Sequence, residues 1–434
     1  MSAIKQVTAR QILDCRGIPT VEADVILHSG IFGRATVPAG STTGTREAIE
    51  LRDGDPHCFA GLGVLNAVVA INSEVNELLV GKEIQSQAAL DQLLVALDGT
   101  DNRSNLGANG ILAVSIAAAR AAALELKIPL HQYINQQFLQ LTDEIELKSP
   151  NRTVSLNAPL PMVEMVGNKS SISPAFGVQS LILHPLRGHS AGSALNISKE
   201  IIKSLSRFSN VDPENQSRET ATTGNQGNFL AVELLLETVK EAILRSGHRL
   251  GEEVALALRL DPSLLYDGIH YRLNSSTRFD ATRFSAYLGN LANNYGISTL
   301  IDPIDEGDWE GWHEITEQLG KSIRLVGGEV FVSNTGLLHE GQQFGVANAI
   351  EVKPIQVGTL SETLELIHAA QNIGYQLILS ESAGETGDTF ITDLAVATGS
   401  DGIIAGSPLL HQNQAKYDRL LNIERNEATA QFPR

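Results

Sequence analysis

We interpret the second half of the chain from one stretch, Ala347-Asn348-Ala349-Ile350-Glu351-Val352-Lys353-Pro354-Ile355-Gln356-Val357-Gly358. Its apolar residues predict a short strand that ends at Lys353, just before a turn. A lysine there faces the mouth of the barrel or sheet to which the strand belongs. Burial can lower the pKa of such a lysine and make it a general base, whereas a lysine that reaches solvent or pairs with a carboxylate is structural. This stretch alone leaves both roles open.

Strands and helices alternate on both sides of this stretch, over residues 178–405. Apolar runs such as Val254–Leu260 and Gln376–Ser380 predict strands, and helical spacing such as that of residues 360–373 predicts the helices between them. This alternation indicates a (β/α) barrel, in which the chemistry lies at the carboxyl ends of the strands. The positions to examine are Asp261, Ile301, Gly328, Lys353, Glu381 and Ile404.

The N-terminal third has a different pattern. Residues 3–37 alternate apolar and polar side chains around a Ser29-Gly30 turn signal, which predicts an antiparallel meander. Helical spacing follows, and an alanine-rich helix at residues 111–126 is expected to pack closely. The expected fold class is therefore α/β, with an α+β domain over residues 1–140 and a (β/α)8-type barrel domain over residues 141–434.

Composition excludes several classes of protein. The 434 residues carry 32 Lys and Arg against 50 Asp and Glu, a formal net charge of −18, which argues against nucleic-acid partners and anionic membranes. Two cysteines, Cys15 and Cys58, are too few for a disulfide framework and too isolated for a zinc site. The N-terminus has no apolar leader, and no run approaches a membrane span. We therefore expect a cytoplasmic protein.

Several motifs together resemble those of the enolase family, along essentially the whole chain. They are Ala9-Arg10-Gln11-Ile12-Leu13-Asp14-Cys15-Arg16-Gly17-Ile18-Pro19-Thr20-Val21-Glu22, Glu50-Leu51-Arg52-Asp53-Gly54-Asp55, Asp308-Trp309-Glu310-Gly311-Trp312, Gly384-Glu385-Thr386-Gly387-Asp388-Thr389 and Ala415-Lys416-Tyr417-Asp418-Arg419-Leu420-Leu421. The resemblance implies reversible dehydration of 2-phosphoglycerate to phosphoenolpyruvate. It also implies a lysine base, a glutamate acid and Mg²⁺ held by three carboxylates.

Three positions match the family's site, and two metal positions do not. By the resemblance, Lys353 stands at the base position, Asp261 at the first metal carboxylate and Gln179 at a glutamine that lines the site. However, Ile301 replaces the metal glutamate and Gly328 replaces the metal aspartate.

Further departures affect proton transfer and substrate binding. Gln226 stands where the family has its acid, and an amide has no proton to donate at physiological pH. Glu381 and Ser382 replace a histidine and the substrate-binding arginine, and Ile404 replaces a lysine. The family's Gln-Glu pair is Gln179-Ser180 here.

These losses lead to three structural expectations. Mg²⁺ requires near-octahedral oxygen ligands, so Asp261 alone should hold it no tighter than millimolar. Asp302 and Glu329 should not substitute, because neighbouring residues of a strand face opposite sides. Finally, Lys353 should form an ion network with Asp261 and Glu381, since an unpaired buried charge is costly.

Three functions remain open, in order of preference. The first is a pseudoenzyme that acts by binding, as a homodimer or as a mixed dimer with a true enolase. The second is a lyase with an altered substrate that uses Lys353, Asp261, Glu381 and Gln226. The third is an enolase with residual native activity. Fold inheritance alone does not establish activity.

Overall fold

A computed structural model describes residues 2–40, 46–145, 158–167, 177–186, 190–208, 228–273, 277–380 and 382–426. The predicted site residues Gln226 and Glu381 lie outside these ranges.

The N-terminal domain is a three-stranded antiparallel sheet covered by helices, as the meander pattern predicts. Its strands, in spatial order, are β1 (Ile4–Leu13), β2 (Pro19–Leu27) and β3 (Phe32–Thr36). Its helices are α1 (Leu65–Ala70), α2 (Asn76–Leu79), α3 (Gln87–Asp98), α4 (Ala108–Leu126) and α5 (Leu130–Ile145), and a π-helical turn, Ile71–Val75, joins α1 to α2. The division of the chain at residue 140 stays a prediction, since α5 runs across that position.

Helix α4 packs closely on the sheet, as its alanines predict. A Cβ atom added to Gly33 on β3 would lie 2.1 Å from the Ala117 carbonyl oxygen, so the contact tolerates no side chain there. By length and composition α4 is the one helix in the described ranges that could cross a membrane, but 78% of its apolar stretch is buried inside the fold. A core helix passes the same test, and α4 packs as one.

The second domain is a closed barrel of eight strands surrounded by helices. In chain order its strands are β4 (Leu160–Gly167), β5 (Val178–Pro185), β6 (Val254–Leu260), β9 (Ile297–Ile301), β10 (Arg324–Gly327), β11 (Ala349–Val352), β12 (Gln376–Ser380) and β13 (Gly402–Ile404), and a short hairpin outside the barrel contributes β7 (Tyr271–Arg272) and β8 (Arg278–Phe279). The helices are α6 (Ala191–Phe208), α7 (Asn228–Arg245), α8 (Ala281–Tyr295), α9 (Trp309–Leu319), α10 (Thr335–Phe344), α11 (Pro354–Val357), α12 (Leu360–Asn372), α13 (Phe390–Thr398) and α14 (His411–Asn426).

One strand departs from simple strand-helix alternation. Strand β5 runs antiparallel to both β4 and β6, whereas the other neighbours in the barrel are parallel. The connection from β4 to β5 is only about ten residues long, which is too short for a parallel crossover. As a result, the beginning of β5 lies at the same end of the barrel as the carboxyl ends of its neighbours.

An apolar layer fills the barrel below this end. Its buried members are Met162, Ile182, Ala257, Ile301, Val326, Ala349, Ile378 and Ile404. Side chains two residues further along each strand point to the same face, so the next layer up contains Arg259 on β6 and Glu351 on β11. The apolar layer therefore forms the floor of the barrel mouth.

A seam of hydrogen bonds and ion pairs joins the two domains. Ala39 and Gly384 exchange backbone hydrogen bonds of 3.1 and 2.7 Å. The guanidinium of Arg120 on α4 donates to both carboxylate oxygens of Asp388, at 2.7 and 2.5 Å. This seam holds the N-terminal domain against the loop that follows β12.

Candidate functional site at the barrel mouth

Asp261 and Lys353 lie at one mouth of the barrel, as the strand pattern predicts. They directly follow β6 and β11, which run in the same direction through β9 and β10. Gln179, near the start of β5, is also there, and its Nε2 donates to Asp261 Oδ2 at 3.1 Å. These three predicted site residues are therefore brought to one end of the barrel, and their chemical roles stay predictions.

Lys353 is held by two carboxylates. Its Nζ lies 3.2 Å from Glu329 Oε1 and 3.3 Å from Glu351 Oε2, and its side chain is 15% exposed. Glu351 precedes Lys353 by two residues, so both side chains enter the barrel from the same face of β11. The ammonium group thus lies between a fully buried carboxylate and one at the rim.

Glu351 also forms a two-pronged ion pair with Arg259. The Arg259 nitrogens Nη1 and Nη2 donate to Glu351 Oε2 and Oε1 at 2.8 and 2.5 Å. The Glu351 side chain has no exposed surface, and that of Arg259 is 11% exposed. Such paired geometry satisfies both ions in a place where an isolated charge would be strongly unfavourable.

These contacts determine the protonation states of Lys353 and Glu351. Burial by itself would lower the pKa of Lys353, but the charges of Glu351 and Glu329 outweigh it and raise the pKa above its ordinary value. Burial by itself would raise the pKa of Glu351, but Arg259 and Lys353 hold that pKa well below its usual range. At neutral pH Lys353 is an ammonium ion, which cannot accept a proton.

Asp302 enters the mouth, contrary to the sequence expectation. Strand β9 ends at Ile301, and Asp302 has a φ of +50°, so the alternation of faces along a strand no longer applies to it. Its Oδ1 accepts hydrogen bonds from the backbone amides of Gly328 and Glu329, at 2.8 and 2.9 Å. The prediction that Asp302 and Glu329 face away is therefore wrong, since both residues lie just beyond their strands.

The environment of Asp302 shifts its titration to neutral pH. Burial, followed by the nearby charges of Glu329 and Glu351, raises the pKa of Asp302 to about 7. Burial likewise raises the pKa of Glu164, on β4. The mouth therefore contains two carboxyl groups that resist ionisation, beside a carboxylate, Glu351, that is fixed in its charged form.

Asp261 does not take part in the lysine network. Among the described residues, the carboxylates within ion-pair distance of Lys353 are Glu329 and Glu351. Asp261 instead accepts from Gln179 and from the Ser263 hydroxyl, the latter at 2.5 Å. The predicted Lys353–Asp261 contact is therefore wrong, because Glu351 on the same strand already occupies the space next to the lysine.

The donor set does not suit Mg²⁺. Ile301 is fully buried in the apolar floor, so no oxygen replaces the carboxylate that the resemblance implies there. A Cβ atom on Gly328 would lie 2.7 Å from Asp302 Oδ2 and 2.9 Å from Glu351 Oε2, so those two carboxylates fill the place of a side chain. Across the described ranges, no cluster of three or more His, Cys, Asp or Glu side chains is arranged to hold a metal ion.

The remaining predicted residues add no positive charge. Ser382 follows β12 and is 8% exposed. A serine at this position has no charge with which to bind a phosphate or a carboxylate, unlike the arginine that the resemblance implies. Gln226 and Glu381 lie outside the described residues, so their predicted roles stay predictions.

Sequence reasoning missed the ion pair that fills the mouth. Arg259 and Glu351 are the charged residues within the otherwise apolar strands Val254–Leu260 and Ala349–Val352. Each precedes a predicted site residue, Asp261 or Lys353, by two positions, so each faces the same way. Two opposite charges at the same distance from the ends of two barrel strands could therefore have indicated an ion pair in the mouth.

The fold and the site together define a class: a barrel protein with an N-terminal α+β domain and a mouth filled by paired charges. The chain matches two family descriptions, "Enolase, N-terminal domain" over residues 4–134 and "Enolase, C-terminal TIM barrel domain" over residues 155–432. These matches cover most of the sequence, so the chain belongs to the enolase family.

Proposed function

We propose that this member of the enolase family acts by binding, as a pseudoenzyme, and does not efficiently dehydrate 2-phosphoglycerate. The observation that carries the proposal is the position of Lys353 Nζ between Glu329 and Glu351, at 3.2 and 3.3 Å. The lysine at the base position is thereby kept protonated. A base that is already protonated cannot remove the α-proton of a carboxylic acid.

The charge of the mouth also opposes an anionic substrate. Its buried cations, Arg259 and Lys353, are already paired with Glu351, while Asp261 and Glu329 add further negative charge. Arg46 reaches the rim, where its Nη2 donates to the Glu329 carbonyl oxygen at 3.3 Å, but it lies outside the buried network. A phosphorylated carboxylate that entered the network would therefore have to break a buried pair.

We expect Mg²⁺ binding to be weak as well. Mg²⁺, when bound in the family, supplies positive charge that stabilises the developing carboxylate charge. Here Asp261 is the one described carboxylate at a metal position, and its oxygens already accept hydrogen bonds. We propose that Mg²⁺ binds no tighter than millimolar, which isothermal titration would measure.

The decisive assay is dehydration of 2-phosphoglycerate with Mg²⁺ present, beside an authentic enolase. We expect a kcat/KM more than about a hundredfold below that control, since base, acid and metal contributions each exceed tenfold in such reactions. A rate within that factor would overturn the proposal. Lys353→Met serves as the matched variant: any remaining rate that disappears with it would show that Lys353 is a working base.

A second candidate function rests on Asp302. Its pKa of about 7 suits a general acid or base at neutral pH, and it lies beside Gly328 at the mouth. We propose, as the alternative, a lyase with an altered substrate in which Asp302 moves the proton. Because the mouth is acidic, the substrate would be a carboxylic acid that also carries an amine.

Deuterium exchange tests this alternative. A panel of α-amino carboxylic acids would be incubated with the protein in D2O, and loss of the α-proton signal followed by NMR. Exchange that Asp302→Asn abolishes and Lys353→Met preserves would favour the altered lyase. If no member of the panel exchanges faster than with the Asp302→Asn variant, this alternative is rejected.

We further propose that the chain forms a homodimer, or a mixed dimer with a true enolase. A groove of about 800 Å³ between β1 and the loop after β12 supports a protein contact here. Leu13 and Gln412 both line it, and Leu13 is 54% exposed. We propose that a partner chain covers this leucine.

Light scattering tests the assembly. The wild-type chain should have twice the monomer mass, and Leu13→Glu should reduce it, whereas Leu244→Glu, at a leucine that is 53% exposed on α7, should not. A monomer that also fails to exchange with an authentic enolase would reject the proposal. The composition further supports a cytoplasmic protein without nucleic-acid or membrane partners, given its net charge of −18.

A further inference from the structure

A layer of polar side chains lies inside the barrel at the end opposite the mouth. We define this lower layer by four residues, His184 on β5, Thr299 on β9, Arg324 on β10 and Gln376 on β12. Each is two positions from a member of the apolar floor on its own strand, so its side chain has the same inward direction. The apolar floor therefore separates the lower layer from the mouth.

Hydrogen bonds link the members of the lower layer in two groups. Arg324 Nε donates to Gln376 Oε1 at 2.6 Å, across the intervening strand β11. His184 Nδ1 lies 3.4 Å from the Ser298 hydroxyl oxygen, which in turn lies 3.5 Å from Thr299 Oγ1. Thr299 and Arg324 are paired directly between β9 and β10, so the two groups are neighbours.

The guanidinium of Arg324 has no carboxylate within ion-pair distance in the described part of the chain. Its Nη1 atom is buried and forms no hydrogen bond there. Asp401, whose charge also acts on Arg324, accepts the Leu377 amide at 2.8 Å instead. Burial lowers the pKa of Arg324, and the charge of Asp401 opposes this only in part. A buried guanidinium without a partner is unfavourable, and a bound anion would relieve that cost.

His184 does not add a second positive charge to the lower layer. Burial, together with the nearby charge of Arg324, lowers the pKa of His184 to about 4. Its imidazole is therefore neutral at neutral pH. The hydroxyl of Thr299 is also neutral, and it can donate one hydrogen bond. The lower layer thus offers an anion one positive charge and neutral groups that can donate hydrogen bonds.

We propose that the lower layer binds the carboxylate of a small organic acid, with one oxygen accepting from Arg324 Nη1 and the other from the Thr299 hydroxyl. A carboxylate suits this place better than phosphate, because Asp401 would repel the second negative charge of a phosphate. Gln376 is exposed at the outer edge of the layer, so a ligand can reach Arg324 from solvent without crossing the floor. The inference does not depend on the function proposed for the mouth.

Saturation-transfer NMR with acetate as the probe tests for binding to the full chain. We expect a Kd of about 1 mM, since a ligand with so few atoms makes few contacts. Phosphate at equal ionic strength should bind roughly tenfold more weakly or less, because it would meet the charge of Asp401. Tighter binding of phosphate than of acetate would overturn the assignment to a carboxylate.

Variants of the lower layer locate the contact. Arg324→Met should abolish the acetate signal. Gln376→Leu, at an exposed position where folding is not at risk, should raise the Kd roughly threefold or more, because Arg324 would lose the hydrogen bond that orients it. The matched control is Arg272→Met, at an arginine whose side chain is 51% exposed and paired with Asp267. This control should bind acetate as the wild type does, and equal weakening by all three changes would overturn the proposal.

Thermal unfolding distinguishes an anion site from a structural arginine. In buffer without acetate, Arg324→Met should have a Tm at or above that of the wild type, because the change removes an unpaired buried charge. Replacing chloride by about 50 mM acetate at equal ionic strength should raise the Tm of the wild type and of Arg272→Met, but not that of Arg324→Met. A lower Tm of Arg324→Met without acetate would mean that the arginine is satisfied within the chain. That result, or the absence of an acetate signal with the wild type, would overturn the proposal.

Discussion

The domain seam and the barrel mouth are both built from arginine–carboxylate pairs, but the pairs have different consequences. At the seam, Asp388 accepts from Arg120 on α4 and also from the Thr36 amide of the N-terminal sheet. At the mouth, Arg259 and Glu351 come from strands of one barrel and meet in its interior. The Arg120–Asp388 pair joins the surfaces of two domains, whereas the Arg259–Glu351 pair fills part of the interior of one domain.

This difference is consistent with the proposed function, in which the family's architecture is retained while its site no longer supports dehydration. Ion pairs at the seam hold the two domains together and do not reach the mouth. Under the proposed function, pairs in the mouth keep Lys353 protonated and so leave no free amine there to act as a base. Stability and the filled site are thus expected to depend on the same buried charges at the mouth.

The largest effect is expected from Glu351→Leu. Removing this buried carboxylate leaves Arg259 and Lys353 without their shared partner, so the free energy of unfolding should fall by about 3–5 kcal/mol. Urea denaturation followed by circular dichroism measures the change.

The matched control replaces both members of the pair. Arg259→Met combined with Glu351→Leu should recover most of the stability, since a buried pair exchanged for apolar side chains is often neutral. If Glu351→Leu alone is as stable as the wild type, the pair is not buried as described.

The seam should be the second most sensitive region. Asp388→Ala removes the acceptor for Arg120, Thr36 and the Phe390 amide, so we expect a loss of about 2–3 kcal/mol in the free energy of unfolding. Limited proteolysis should also become faster at residues between the domains. Glu252→Ala, which removes an exposed pair with Arg249, is the control and should cost under about 0.5 kcal/mol. Equal effects of the two changes would contradict a structural seam.

Strands with long, mostly apolar runs could be predicted from the sequence to the residue. Val254–Leu260 and Gln376–Ser380 are β6 and β12 as observed, and α12, Leu360–Asn372, ends one residue before the end of the predicted helix at residues 360–373. Strand β4 was missed, because Pro161 and the inward-facing Glu164 interrupt its apolar run. A buried charge alone does not hide a strand, since β6 contains Arg259 and its bounds were still predicted, whereas β4 combines a buried glutamate with a proline.

The contents of the mouth were harder to predict, because they depend on contacts between strands. The resemblance placed Lys353 and Asp261 at one mouth, but pairing of Lys353 with Glu351 instead of Asp261 depends on which carboxylate is nearer in space. The direction of the Asp302 side chain depends on a backbone change just after β9, where φ is +50°. No periodic pattern in the sequence indicates such a change. The sequence shows which residues are charged, but it does not show which of them lie close enough to pair.

Lys353→Met should have a moderate effect on stability. It leaves Glu351 with Arg259 and exposes Glu329, which is already 54% exposed, to water, so the expected loss is about 1–2 kcal/mol with a lower Tm. Lys82→Met, at an exposed lysine, should leave Tm unchanged. The structural role of Lys353 is wrong if its replacement leaves Tm unchanged, or if a lysine-directed reagent labels it rapidly near neutral pH.

The smallest expected effect is a dependence of stability on pH that comes from Asp302. Its pKa of about 7 in the folded chain lies above the ordinary value of 3.8, so between these values the folded state binds a proton that the unfolded state has released. This group therefore makes stability fall as pH rises from about 4 to about 7, after which its contribution is constant. The pKa of Glu351 is shifted in the opposite direction, below its ordinary 4.5, so its contribution is lost only under more acidic conditions.

Asp302→Asn isolates this contribution. An asparagine can still accept hydrogen bonds from the Gly328 and Glu329 amides, but it does not titrate. Relative to the wild type, the variant should gain about 1 kcal/mol in the free energy of unfolding between about pH 6 and pH 7.5, because the charge of a buried carboxylate no longer forms beside Glu329 and Glu351. Urea titrations at those two pH values, with Asp305→Asn on the following loop as control, measure the difference. Parallel pH profiles for the wild type and Asp302→Asn would show that the carboxyl group of Asp302 is solvated and ionised throughout. The mouth would then carry one more negative charge, which would strengthen its exclusion of an anionic substrate while removing Asp302 as the acid or base of an altered lyase.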